Sequence, residues 1–109
     1  MIEETVLNYL ISKGFCAVME EEGLEGDYLV IEKAGGSGDK MLSNSVITIQ
    51  SYSKSLAGAA KLSEKMINAM YGIIELPEIC RCELNSNYNF TDTARKRYRY
   101  QAVFNITHY

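Results

Sequence analysis

Tryptophan is missing from this 109-residue chain, and proline, histidine and cysteine are scarce: Pro77, His108 and three cysteines. Each shortage excludes something. With one histidine, no Ser-His-Asp or Cys-His arrangement can be assembled from the sequence. No GxxxxGK(S/T), GxGxxG or HExxH pattern is present, so the common phosphate, dinucleotide and zinc-protease signatures are absent. No apolar run approaches the ~20 residues that a membrane-spanning helix needs. The start, Met1-Ile2-Glu3-Glu4, is acidic where a signal peptide is basic, and the cysteine count is odd. These features predict a reduced cytosolic protein without a disulfide framework.

What is present is the composition of a folded domain. The chain is 47% apolar and 23% charged, which argues against disorder. At this length residues 1–109 read as one domain, with little room for both a core and a deep cleft. The expectation is a non-enzyme that binds no cofactor and no metal and works through a surface.

Hydropathy periodicity sets out the elements. Residues 2–13 read as a short amphipathic helix, with Ile2, Val6, Tyr9 and Leu10 in one stripe and Gly14 as its stop. Phe15–Met19 is a short strand candidate, followed by an acidic turn over Glu20–Gly26. Asp27–Ala34 reads as a strand with apolar residues on both sides, hence covered on both faces at its start. Gly35-Gly36-Ser37-Gly38-Asp39 reads as a mobile hairpin connection, and Leu42–Tyr52 as a long strand. Residues 55–74 carry the longest helical pattern, capped by Ser53 or Ser55, and Pro77 prevents its resumption. Ile79–Phe90 is a strand with Cys80, Cys82, Leu84, Ser86, Tyr88 and Phe90 on one side. Residues 95–107 alternate strictly: Tyr98, Tyr100, Ala102, Phe104 and Ile106 face one way, Arg95, Arg97, Arg99 and Gln101 the other. The predicted class is α+β, with two helices on one face of a mainly antiparallel sheet in the order α-β-β-β-α-β-β.

Three constellations invite a chemical reading. Cys80-Arg81-Cys82 lacks the two-residue spacer of a redox or zinc site, and its thiols read as buried small hydrophobes. Arg95-Lys96-Arg97-Tyr98-Arg99-Tyr100 interleaves cations and rings, a pattern open to three readings: a solvated strand face, an arginine ladder for a protein partner, or a single-stranded nucleic-acid platform. A pI near 5.1 speaks against the last. The third is a charge split. Residues 1–33 hold eight acids and two bases, net −6, and residues 94–109 hold four bases and no acid, net +4. Such asymmetry suits head-to-tail self-association, and equally an ordinary mixed surface paired within the molecule. The candidate interface residues are Glu20, Glu21, Glu22, Glu25, Asp27, Asp39, Lys40, Arg95, Arg97 and Arg99.

Several of these segments resemble one family. Val30-Ile31-Glu32-Lys33-Ala34-Gly35-Gly36 is similar to the hydrophobic strand plus EK(T/A)GG hairpin of small phage tail proteins. Ile47-Thr48-Ile49-Gln50-Ser51-Tyr52-Ser53 and the following Leu56–Met70 helix look like their central strand and "IQSYAKS…A" helix. Ser86–Thr93 with Lys96-Arg97-Tyr98-Arg99-Tyr100-Gln101 resembles their closing hairpin. The family is the tail-completion, tail-terminator or head–tail joining proteins of long-tailed bacteriophages and Gram-positive prophages. The resemblance runs from about Tyr28 to Ile106. It implies an α+β structural protein of the virion tail or neck, assembled in the host cytoplasm. It also implies a homo-oligomeric ring, typically a hexamer, whose partners are the tail-tube and head-connector proteins. No enzyme activity, cofactor, membrane or sequence-specific nucleic acid is implied, and no catalytic residues are carried over. A small nucleic-acid-binding module using the Arg/Tyr strand is the rival expectation.

Overall fold

The first helix, α1 (Ile2–Ser12), buries the stripe Ile2, Val6, Tyr9 and Leu10. It ends in a Schellman motif: Gly14 adopts φ +94°, its N–H bonds to the Ile11 carbonyl, and the Phe15 N–H bonds to the Leu10 carbonyl. In the computed structural model, which describes residues 1–20, 25–38, 41–94 and 97–109, this helix is followed by β1 (Ala17–Val18), β2 (Tyr28–Gly38) and β3 (Ser43–Ser53). Helix α2 (Leu56–Met70), a 3-10 turn at Ile73–Glu75, β4 (Ile79–Asn89) and β5 (Tyr98–His108) complete the chain. The fold is α+β in the expected order.

The five strands lie in the order β1-β2-β3-β5-β4. Only β1 and β2 run parallel; the other neighbours are antiparallel. Both helices pack on one face. Their apolar stripes meet Leu29 and Ile31 of β2, Ile47 and Ile49 of β3, and Ala102, Phe104 and Ile106 of β5 in one core. The Tyr9 hydroxyl ties the helices together by donating to the Ala69 carbonyl at 2.8 Å.

Of the two candidate caps for α2, Ser55 is the one used: its hydroxyl accepts from the Gly58 N–H at 3.0 Å. Ser53 instead donates to Asp27 at 2.8 Å, joining β3 to the start of β2. Ser55→Ala leaves a first-turn N–H without its partner. It is expected to lower stability by about 1 kcal/mol and the melting temperature by a few degrees, read by urea and thermal unfolding.

Two expectations are corrected. The glycine segment 35–38 is strand, not a mobile connection: after a bulge between Lys33 and Gly35, Gly35 through Gly38 pair with Val46 through Ser43. Gly36 is glycine because a Cβ there would sit 2.8 Å from the Asn44 carbonyl oxygen. Glycine here permits a close strand approach rather than flexibility. The first strand is only Ala17–Val18, two residues against the five expected, because its pairing with β2 stops at Val30.

Candidate functional site: the helix-free face of the sheet

Strand alternation sends one residue in two away from the helices. On β2 these include Tyr28 and Val30, on β3 Gln50 and Tyr52, and on β5 Arg99 and Gln101; the ladder sets Tyr28 opposite Tyr52, Tyr52 opposite Arg99, and Gln50 opposite Gln101. Tyr28, Val30 and Tyr52, with Val18 beside them, form a second small apolar cluster. Tyr28 and Tyr52 are only 2% and 4% exposed although no helix covers this face. The strand β2 is thus covered on both faces at its start, as expected.

The cover comes from a ladder of rings and cations. The Tyr28 and Tyr52 rings stack at 4.8 Å, nearly parallel. Arg97 Nη2 donates to the Tyr28 hydroxyl at 2.6 Å, and Arg99 Nη1 to the Tyr52 hydroxyl at 2.8 Å. Both guanidinium groups also lie over the Tyr52 ring, at 5.4 and 5.6 Å. Arg99 continues outward, with Nε donating to the Phe90 carbonyl at 2.7 Å and its guanidinium 4.6 Å from the Phe90 ring. An amide chain runs alongside: Tyr52 donates to Gln50, Gln50 to Gln101, and Gln101 to the Tyr88 hydroxyl. Tyr88 and Phe90 meet edge to face at 5.9 Å. The arrangement stiffens four strands across one end of the sheet. Each cation–π contact of this kind contributes about 0.5–1 kcal/mol, so the ladder is a structural feature before it is anything else.

The acidic and basic candidates partly meet. Glu25 and Arg97 line the same shallow cleft with Gly26, Tyr28, Tyr52, Ser53 and Lys54, and Asp27 is bonded to Ser53 at its margin. Glu20 is exposed and lies apart, in a groove with Glu3, Met19 and Glu32. Arg99 points into the ring ladder. Glu21, Glu22, Asp39, Lys40 and Arg95 fall outside the described residues. At this end of the sheet, then, the two charged segments of the sequence touch within one molecule.

The cysteine reading is corrected by two bulges in β4, between Ile79 and Arg81 and between Leu84 and Ser86. The first leaves Cys80 exposed and gives the core position to Ile79. Cys82 and Leu84 do pack against the core. The second bulge reverses the faces again. Tyr88 now lies opposite Gln101, on the helix-free side, and Asn87 lies on the helix side, where it accepts from Ser63 of α2 at 3.0 Å. A bulge inserts one residue and shifts every later side chain to the other face, which uninterrupted alternation cannot anticipate.

Burial, and secondarily the Glu83 carboxylate, push the Cys82 thiol from its ordinary 9.0 up to about 11. Cys16 and Cys80 are exposed. At pH 8, Ellman's reagent is expected to titrate Cys16 and Cys80 fast and Cys82 only slowly, because the thiolate is the nucleophile. The raised thiol also works against the fold in alkali. Its contribution is intact below about pH 9 and is lost as pH rises towards about 11, because only the unfolded chain ionises freely across that window.

The single histidine finds a partner that no sequence motif marks. His108 Nε2 is 2.8 Å from the Ser45 hydroxyl, joining β5 to β3 near the far end of the sheet. Ser45 is only 2% exposed near the start of β3, with its hydroxyl turned to His108. The pair is a latch between strands β3 and β5. Tyr28, Tyr52 and Tyr88 also belong to the site. For Tyr28 the signal is available in the sequence: a tyrosine on the strand side opposite Leu29 and Ile31 is a ring on the face away from the core.

Among the described residues no group of three or more His, Cys, Asp or Glu side chains converges as a metal site would require. No helix among the described residues is long and apolar enough to cross a membrane. Neither a scan against protein-family models nor a search of curated proteins found a match for this chain.

Proposed function

We propose that this chain is a structural subunit of a phage or prophage tail, a tail-completion or head–tail joining protein that works as a ring capping the tail tube. The observation that carries the reading is the one-sided architecture. Two helices cover one face of the sheet, and the other face and the long outer edges of β2 and β4 are left for neighbours. The α-β-β-β-α-β-β order agrees with what the resemblance of the Val30–Gly36, Ile47–Ser53 and Ser86–Gln101 segments implies. The clefts are shallow, and the polar groups of the helix-free face are engaged with one another, as in an assembly component that acts by shape.

The rival reading, a single-stranded nucleic-acid module, has less support. Such modules offer free ring faces and free cations to bases and phosphates. Here the Tyr28 and Tyr52 rings stack on each other, and Arg99 is bonded to Tyr52 and Phe90.

The test is assembly. Light scattering across a concentration series, with and without purified tail tubes, is expected to give a closed oligomer or binding confined to tube ends. A chain that stays monomeric at high concentration and ignores tube ends removes the proposal. Steep, salt-sensitive binding of single-stranded DNA that is lost in Arg97→Ala would favour the rival.

A further inference from the structure

The sheet ends in two different edges. On one side β1 pairs only with Leu29 and Val30, so from Glu32 to Gly38 the outer edge of β2 has no ladder partner among the described residues. These seven residues are all exposed, and three of them are glycine. On the other side β4 is the last strand, and its outer edge, with exposed Cys80, Arg81 and Glu83, is likewise unpaired among the described residues. Folded proteins normally blunt such edges, because unpaired N–H and C=O groups template the addition of another strand.

Strand parity decides how copies can join. The four strands β2, β3, β5 and β4 are successively antiparallel, so β2 and β4 run in opposite directions. If one copy is rotated about an axis parallel to the strands and set beside another, β4 of the first lies antiparallel to β2 of the second. That is the more stable pairing geometry. The same operation keeps all helices on one side of the extended sheet and all Arg/Tyr ladders on the other. It uses a different patch on each partner, the heterologous contact that closes into a ring.

Charge and shape favour this arrangement over two like edges meeting. Beside the β2 edge Glu3, Glu20 and Glu32 line one groove with Lys33, so two β2 edges brought together would set acids against acids. On the β4 edge Arg81 and Glu83 form an ion pair with each other, so that edge meets the acidic one without this repulsion. The glycine-rich part of β2 offers backbone without side-chain bulk to a β4 edge that has bulk, whereas two β4 edges would oppose their projecting side chains.

We infer that the subunits join head to tail by strand addition, the β4 edge of one copy pairing with the Glu32–Gly38 edge of β2 in the next. The inference rests on the ring reading above and names its contact. Bulges in both edges keep each pairing short, so a single junction is weak, and closure of the ring, which makes the last contact intramolecular, supplies the stability.

Cross-linking of the full chain tests it. One variant carries Ser37→Cys with Cys16→Ser and Cys80→Ser; the other carries only Cys16→Ser and keeps Cys80. Ser37 is exposed, and the exchange is nearly isosteric; thermal melts of both variants check the fold. The two are mixed with a short bismaleimide, and linked peptides are read by mass spectrometry. The slow Cys82 thiol serves as an internal background. The expected result is several-fold more linkage between position 37 and Cys80 than between like positions. A single chain carrying Ser37→Cys and Cys16→Ser then gives a covalent ladder beyond dimer. Gly35→Lys, whose Cβ would meet nothing within 4 Å in the monomer, is expected to shift light-scattering mass from oligomer to monomer. Oligomers in which only like positions link, or none, overturn the edge pairing and leave the ring reading standing. Monomers without linkage at any concentration overturn the edge pairing and count against the ring reading as well.

Discussion

Phe104→Ala is expected to lower the stability of the fold by about 3–5 kcal/mol, the range for truncating a fully buried phenylalanine. Phe104 has no exposed surface and is the largest of the fully buried side chains. It projects from β5 between Ile47 of β3 and Leu84 of β4 in the ladder and belongs to the core that both helices close. The cavity cannot collapse easily, because the paired strands on either side hold their spacing. A domain of this size has about 5–15 kcal/mol in total, so the variant should unfold at far lower urea with an unchanged slope. A loss below about 1 kcal/mol would mean that Phe104 does not occupy the centre of the core. Phe104→Leu, which retains most of the volume, should recover a large part of the loss.

Tyr52→Ala is expected to be the most damaging change on the helix-free face, at about 3–4 kcal/mol by analogy with other buried aromatic truncations. The ring stacks on Tyr28 and lies under two guanidinium groups, and its hydroxyl accepts from Arg99 while donating to Gln50. Removing it deprives Arg99 and Gln50 of a hydrogen-bond partner as well as uncovering Val30. Tyr52→Phe separates the contributions. It retains the ring and the stack and loses only the hydroxyl, for about 1 kcal/mol. A double-mutant cycle of Tyr52→Phe with Arg99→Ala, followed by chemical denaturation, should show coupling of a few tenths of a kcal/mol or more. Strict additivity would show that the ladder is contact without energy.

The legibility of this chain was uneven for identifiable reasons. The α1 stripe with its Gly14 stop, the helical pattern over 55–74 and the alternation over 95–107 are local periodicities, and each marks a real element. The second helix is shorter than the pattern, ending at Met70 ahead of a 3-10 turn at Ile73–Glu75, and the last strand begins at Tyr98. The two faces of β2 were readable because Tyr28 and Val30 alternate with Leu29 and Ile31. The β4 faces depart from simple alternation at Cys80 and again beyond Leu84, because a bulge is chosen by the partner strand's register and leaves no composition signal. Gly35–Gly38 looked like a flexible connection for the same reason: glycine marks both loops and close strand contacts. The pairing with Ser43–Val46, and the Asn44 carbonyl oxygen that would stand 2.8 Å from a Cβ at Gly36, distinguish the two.

The candidate interface divided along the same line. The charge split was visible in a count of residues. Its geometry was not, because Arg97 and Tyr28 are 69 positions apart in the chain and become hydrogen-bonded neighbours only through the β2-β3-β5 order. The sequence by itself determined the class, α+β, and a chain with a single histidine and an acidic first third opposed by a basic end. Tertiary structure alone decided which face stays free of helices, that Arg97 and Arg99 are held by tyrosines, and that the sheet ends in two unlike, oppositely directed edges. The physical reason is that periodicity is a local property of a chain, whereas register and strand order are settled by contacts between distant segments.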